Sequence, residues 1–213
     1  MTLINISKMK RRFVLLLLLC IVHIGGYAKI TLPGYFADNM VLQQQTKVLI
    51  SGQSSGQGGV ELRVGWDKKV YKADIGTSGE WSIEVETPKA GGPYDIVLSD
   101  GEECFLHNVL IGEVWLCSGQ SNMEMPLAGW GKVMNYEKEI AEADYPSIRL
   151  FQVKKETSLS PRKNLASTMG GWKECSPAMI PNFSAVGYFF ARNLWKDCLL
   201  YTSPSPRDRQ KSR

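Results

Sequence analysis

The sequence predicts a mixed α/β fold: a small all-β sandwich followed by the first part of an α/β domain. Three observations carry this reading. Short strand-like segments separated by turn residues fill positions 30 to 105 with no helical period. A nearly continuous apolar run then appears from Val109 to Cys117. Beyond it, strand and helix patterns alternate, which is the sign of an α/β arrangement.

The β-rich part divides into Val48 to Ser51, Val60 to Trp66, Lys69 to Ile75, Trp81 to Val85 and Tyr94 to Leu98. Gly, Ser and Pro punctuate it at Gly52 to Gly59, Gly76 to Gly79 and Pro88 to Pro93. Trp66 and Trp81 are expected to fill its core, with sugar stacking as the alternative role. Val109 to Cys117, broken by Gly112 and Glu113, reads as a strand buried on both faces, as in a parallel sheet. Ser118 to Asn122 is a small polar turn. Tyr136 to Ala143 has helical composition, and Ile148 to Val153 reads as a second strand. Val186, Phe189, Phe190 and Leu194 recur at helical spacing and predict an amphipathic helix between Phe183 and Trp195.

The two ends read differently from this body. Lys8, Lys10, Arg11 and Arg12 precede an apolar run from Phe13 to Ile24, and Gly26-Tyr27-Ala28 supplies small residues for cleavage. That is the layout of a secretory signal peptide over residues 1–28, and the run is too short for a bilayer-spanning helix of roughly 20 residues. Leu19 before Cys20 is bulky where a lipoprotein site needs a small residue, so lipidation is not expected, and His23 belongs to the leader. At the other end, residues 198–213 form a basic Ser/Pro-rich tail. Cys198 to Asp208 can be encoded by DNA resembling the transposon adapter ligated onto sequencing fragments, so this stretch is expected to stand outside the fold. The body is thus expected to comprise residues 29–107 as the β-sandwich domain and residues 108–197 as the N-terminal part of a larger, truncated domain.

The ends also explain the charge. The whole chain carries +4, but residues 29–197 hold 17 Lys and Arg against 20 Asp and Glu, a net −3. A basic footprint for nucleic acid is absent from this part. Its three cysteines, Cys104, Cys117 and Cys175, form neither a disulfide framework nor a zinc pattern, though an exported protein permits one bridge.

A serine in a tight turn directly after a buried strand suits nucleophilic chemistry. The strand holds the backbone, the turn exposes the hydroxyl, and a turn amide can face a developing oxyanion. Ser118 and Ser121 both fit, although serines in glycine-containing turns commonly serve as turn formers or helix caps. Glu113 and Glu124 are carboxylates nearby, expected to be structural or solvated rather than an acid/base pair. His107 is the one histidine outside the leader. Along an extended strand it would lie roughly 35 to 45 Å from Ser121, out of reach as a base.

Four collinear stretches carry a resemblance. Ile111 to Pro126 reads IGEVWLCSGQSNMEMP, and Leu32-Pro33 is followed by FADNMVLQ from Phe36 to Gln43. Gly91-Gly92-Pro93-Tyr94 and FSAVGYFFAR from Phe183 to Arg192 complete the set. Together they resemble the sialate O-acetylesterase family of the SGNH hydrolase superfamily. The resemblance implies a truncated SGNH-type α/β/α domain preceded by the small β-sandwich. It implies that Ser121 within Gly119-Gln120-Ser121 is the nucleophile, Gln standing where the superfamily has Asp, and that the Ser121 N–H contributes to the oxyanion hole. Gln120 and Asn122 are then expected to order the turn or touch substrate, and Trp115 and Met123 to pack. The family's Asp-x-x-His block and the remaining oxyanion-hole residues would lie beyond position 197.

The implied activity is hydrolysis of O-acetyl esters on sialic acid with release of acetate, using no metal or organic cofactor. The alternatives are an acetylesterase acting on other polysaccharides such as acetylated xylan, or a non-catalytic carbohydrate-binding protein. The expected partner is an O-acetylated sugar, with no nucleic acid and no stable membrane insertion after leader cleavage. The expected location is secreted or periplasmic.

Overall fold

The structure is a computed structural model and describes residues 29–56, 58–131, 133–162 and 164–198. The leader reading and nearly all of the tail reading lie outside these residues.

Two sheets build the β-rich part. β1 (Ile30–Thr31), β3 (Lys47–Ser54) and β6 (Glu80–Glu86) form an antiparallel trio in the order β1-β3-β6. β2 (Val41–Gln43), β8 (Glu103–Gly112), β7 (Gly91–Ser99), β4 (Val60–Val64) and β5 (Val70–Ala73) form the second, in the order β2-β8-β7-β4-β5. The sequence pattern accounts for which faces meet. In β6, Trp81, Ile83 and Val85 are buried while the residues between them are exposed. In β4, Val60, Leu62 and Val64 are buried, with Glu61 half-buried and Arg63 exposed between them. Alternation at period two places these side chains on one face of each sheet. They close a single core with Met40, Ile50, Ile96, Leu98, Leu106, Val109 and Ile111. Trp81 lies in this core and Trp66 packs against it, as expected of both.

A second core lies beyond. β9 (Tyr145–Leu150) and β10 (Lys173–Cys175) pair antiparallel. Two short helices, α1 (Ser121–Glu124) and α2 (Tyr136–Ala141), and the longer α3 (Ala185–Cys198) complete it. A 3-10 turn at Ile180–Asn182 leads into α3. Ala185 and Tyr188, one helical turn apart, are buried with Leu127, Ala143, Ile148, Leu150, Cys175 and Ile180. The fold is therefore mixed α/β with two hydrophobic cores.

The structure departs from the sequence reading at several points. The strand placed at Val109 to Cys117 instead spans Glu103 to Gly112 and belongs to the β-rich sheet. Its end pairs parallel with β2, Leu110 opposite Val41 and Ile111 opposite Leu42. Residues 107 and 108 both lie within β8. The apolar run resumes after Gly112 and Glu113, and hydropathy alone does not mark where ladder partners stop. The parallel sheet expected for the second part is likewise not formed: its described strands are the antiparallel pair β9 and β10. At the far end, Cys198, assigned by sequence to the tail, is the last residue of α3.

The two cores are joined by Arg149, whose side chain is only 4% exposed. Its Nε donates to the Pro146 carbonyl at 2.8 Å. One terminal nitrogen donates to the carbonyls of Asn39 (3.2 Å) and Asn108 (3.3 Å). The other donates to Asn108 Oδ1 at 3.2 Å and pairs with Glu174 at 3.3 Å. Asn39 and Asn108 both adopt left-handed backbone, φ 65° and 57°, which turns their carbonyl and amide groups toward the guanidinium. Trp172 adds a second tie, its Nε1 donating to the Tyr35 carbonyl at 2.9 Å.

Candidate active site

After Gly112 the chain leaves the sheet with no regular structure until α1. Val114, Trp115 and Leu116 are 43%, 58% and 90% exposed. Trp115, expected to pack, does so only through an edge contact with Phe190, ring centroids 5.2 Å apart. Apolar side chains stay exposed here because no strand lies against either side of this segment among the described residues.

Ser121 opens α1 and is exposed, as are Ser118, Gly119, Gln120 and Asn122. Gln120 is the residue before the helix; its side chain makes no capping bond, while its carbonyl accepts the Glu124 N–H at 3.0 Å. The helix is one turn long, so its placement comes from docking rather than propensity. Ala185 N–H donates to the Met125 carbonyl (2.9 Å), and Leu127 N–H donates to the Phe183 carbonyl (3.0 Å). Ser184 Oγ lies 3.5 Å from Met123 Sδ, and Glu124 pairs with Lys155. The Ser121 turn is thus stitched to the start of α3.

Beside it lies a cavity of about 530 Å³, within the range of small-molecule sites. Trp115, Ser118, Gln120, Met123, Phe190 and Lys155 are among the residues around it. Gln120 and Ser118 line this cavity; Ser121 and Asn122 do not. Glu124 lines it as well, already engaged by Lys155.

His107 is occupied elsewhere. It lies on β8 with Nδ1 3.1 Å from Asp95 Oδ1 and its ring stacked on Phe105. Among the described residues no group of His, Cys, Asp and Glu is arranged to hold a metal ion, and no helix is long and apolar enough to cross a membrane. Cys104, Cys117 and Cys175 are free thiols. Burial pushes the Cys175 thiol up to about 12, while Cys117 is exposed in the Ser121 segment.

Sequence reasoning missed the partners of Glu113. Gln43 and Gln44 donate to its two oxygens at 2.9 and 2.7 Å, and these bonds hold its carboxyl below the ordinary range. The signal was present: Gln43 ends one of the resembling stretches and Glu113 begins another.

No family model matches the chain. It is 30% identical over 204 residues to a sialate O-acetylesterase of Rattus norvegicus, covering 88% of this chain and 37% of that protein. It is 34% identical over 135 residues to the sialate O-acetylesterase of Mus musculus (58% and 24%), and 29% over 184 residues to that of Homo sapiens (78% and 34%). The chain therefore spans between about a quarter and two fifths of the length of these relatives. Among solved structures it is similar to a carbohydrate acetylesterase from Xanthomonas citri. There the TM-score is 0.74 at 34% identity, covering 81% of this chain and 39% of the other. In sequence and in fold, the chain is homologous at moderate identity to sialate O-acetylesterases and SGNH-type carbohydrate acetylesterases.

Proposed function

We propose that this chain carries the nucleophile of an esterase that removes acetyl groups from sugars, with O-acetylated sialic acid as its substrate. The observation that carries the reading is the homology, which runs through 88% of the chain to a sialate O-acetylesterase and includes the Ser121 turn. The local geometry agrees with it. Ser121 is exposed at the start of a docked helix, one residue from a cavity-lining glutamine.

In this mechanism Ser121 Oγ attacks the acetyl carbonyl, and the Ser121 N–H takes part in holding the oxyanion. The base takes the Ser121 hydroxyl proton as Oγ attacks and passes it to the departing sugar oxygen. Water then attacks the acetyl-enzyme, and acetate departs. Gln120 orders the turn or meets the sugar; Asn122 supports the turn. The base is expected from the Asp-x-x-His block of the family. His107 stands on β8 and does not line the cavity beside Ser121, so residues 29–198 by themselves are expected to be inactive.

A broader substrate range has its own support, since the similar solved structure is a carbohydrate acetylesterase. The test is acetate release from an O-acetylated sialic acid, acetylated xylan and an aryl acetate. It should be run on the 213-residue chain and on a form extended to the length of its relatives. Release from the sialic acid by the extended form, and none by the chain, is the expected result. Release from xylan alone moves the substrate to the alternative. Sugar binding without any acetate release identifies a non-catalytic carbohydrate-binding protein.

A further inference from the structure

We infer that Gln43, Gln44 and Glu113 are positioning residues: a side-chain clamp that sets the direction in which the Ser121 segment leaves the β-rich core. The inference deepens the reading of Ser121 as nucleophile and rests on it for its catalytic consequence, though not for its structural one.

The clamp sits where the backbone ladder ends. β2 and β8 pair through Gln43 opposite Gly112, and the Gln44 N–H donates to the Gly112 carbonyl at 2.8 Å. Side chains then take over. Gln43 Oε1 accepts the Val114 N–H at 2.9 Å, while its Nε2 donates to Glu113 Oε2 at 2.9 Å. Gln44 repeats the division: its Oε1 accepts the Ala90 N–H at 2.8 Å, and its Nε2 donates to Glu113 Oε1 at 2.7 Å. Each amide thus spends its acceptor on a backbone N–H and its donor on the carboxylate. Neither can flip without setting donor against donor.

The base of the clamp is itself held. Thr87, buried, donates its hydroxyl to the Gln43 carbonyl at 2.7 Å and accepts the Thr46 N–H at 3.2 Å. Gln45, in left-handed backbone, donates its N–H to the Pro88 carbonyl at 3.0 Å. After Val114 the segment touches α3 through the edge contact of Trp115 with Phe190 and is hydrogen-bonded again at α1, so the chain bridges the two cores between the clamp and these contacts. A change in the clamp's direction is carried along the segment to Ser121.

This also assigns Glu113 a role. Both its oxygens accept amide protons, which keeps it ionised with no proton to give. It lines the cavity with both oxygens already engaged, and acts through Val114 and the segment beyond.

The clamp makes a specific demand on substitutions. In Glu113→Gln, one carboxylate oxygen becomes a donor, so either Gln43 or Gln44 loses its acceptor. In Gln43→Glu, two carboxylates face each other. Combining Gln43→Glu with Glu113→Gln restores every bond: the new amide donates to the new carboxylate, Gln44 keeps an acceptor, and the Val114 N–H keeps an oxygen.

The experiment is amide hydrogen exchange on the full 213-residue chain and these three variants. Each single change should accelerate exchange at Val114 by about tenfold, the loss of roughly one hydrogen bond, and leave Val109 and Ile111 within about twofold. The double variant should return Val114 to within about threefold of the starting protein. Unchanged exchange at Val114 in the single variants overturns the clamp. So does equal acceleration at Val109 and Ile111, which reports general destabilisation, and so does a double variant no better than the singles.

The catalytic consequence is tested separately, in an extended form that releases acetate. There the single variants should lower kcat by about tenfold with KM within about twofold, and the double should recover it. Normal kcat in single variants whose Val114 exchange is accelerated overturns the positioning role. If the extended form hydrolyses no ester, the reading of Ser121 fails while the exchange result still decides the clamp.

Discussion

Single side chains decide the chemistry, and three predictions belong at this scale. Ser121→Ala in an acetate-releasing form should lower kcat by at least about 10³-fold with little change in substrate binding, measured by acetate release. The thiols should separate by environment. A thiol reagent at neutral pH should modify Cys117, which is exposed, and leave Cys175 untouched until denaturant is added. Cys175 is buried and its thiol is pushed up to about 12, so its thiolate is scarce. Peptide mapping by mass spectrometry reads both sites. Glu113 gives a pH dependence with a definite sign. Its carboxyl is depressed by the donors on Gln44 and Gln43. A depressed carboxyl contributes stability above its ordinary pKa of about 4.3 and loses it as pH falls through the folded value. Protection of the Val114 amide should therefore be flat above pH ~5 and decline in acid.

Elements are held by contacts as much as by their own patterns. β6 alternates faultlessly between buried and exposed residues, and its identity follows from that alone. β1 is only two residues long and survives by close approach to β3 at Gly52. A Cβ at position 52 would stand 2.6 Å from the Thr31 carbonyl oxygen and 2.9 Å from the Trp81 ring. Gly52→Ala should therefore push β1 off or displace Trp81, destabilising by about 1–3 kcal/mol in urea unfolding followed by tryptophan fluorescence. α3 is long enough to show apolar spacing, though two of the spaced residues, Val186 and Phe190, stay exposed and Ala185 and Tyr188 are buried instead; α1 has a single turn and depends on the bonds from Ala185 and Leu127.

At the scale of the whole molecule, the two cores are coupled through one buried cation. Arg149 joins β9 to the backbone at Asn39 and Asn108 and to Glu174 on β10. Arg149→Met should cost about 1–3 kcal/mol, because it strands buried carbonyls while keeping much of the side-chain volume and leaves Glu174 half exposed to solvent. Calorimetry should show the unfolding of the two cores separating into two transitions, where the unsubstituted protein shows one. A single transition shifted as a whole would place the coupling elsewhere, with the Trp172 to Tyr35 bond next to examine.

Five strands of the β-rich part were legible in the sequence, most of them from a period-two pattern. The helix at Ala185–Cys198 was legible too, but its buried face is Ala185 and Tyr188 while Val186 and Phe190 stay exposed, and the strand expected at Ile148 to Val153 lies at Tyr145–Leu150. The turn around Ser121 was legible from its small polar residues and its resemblance to a known esterase block. The end of β8 was not, because the apolar run resumes after Gly112 and Glu113 while its pairing partner, β2, stops at Gln43. Nor were the Glu113 clamp and the Arg149 tie, whose partners lie about 70 and 110 residues apart in the chain. Local pattern determined most of the longer strands and the long helix, but not the short elements β1, β2, β10 and α1. Tertiary structure alone decided which strand pairs with which, where the ladder ends, and which distant amides and carboxylates meet, because hydrogen-bond partners are chosen in space and leave no period along the chain.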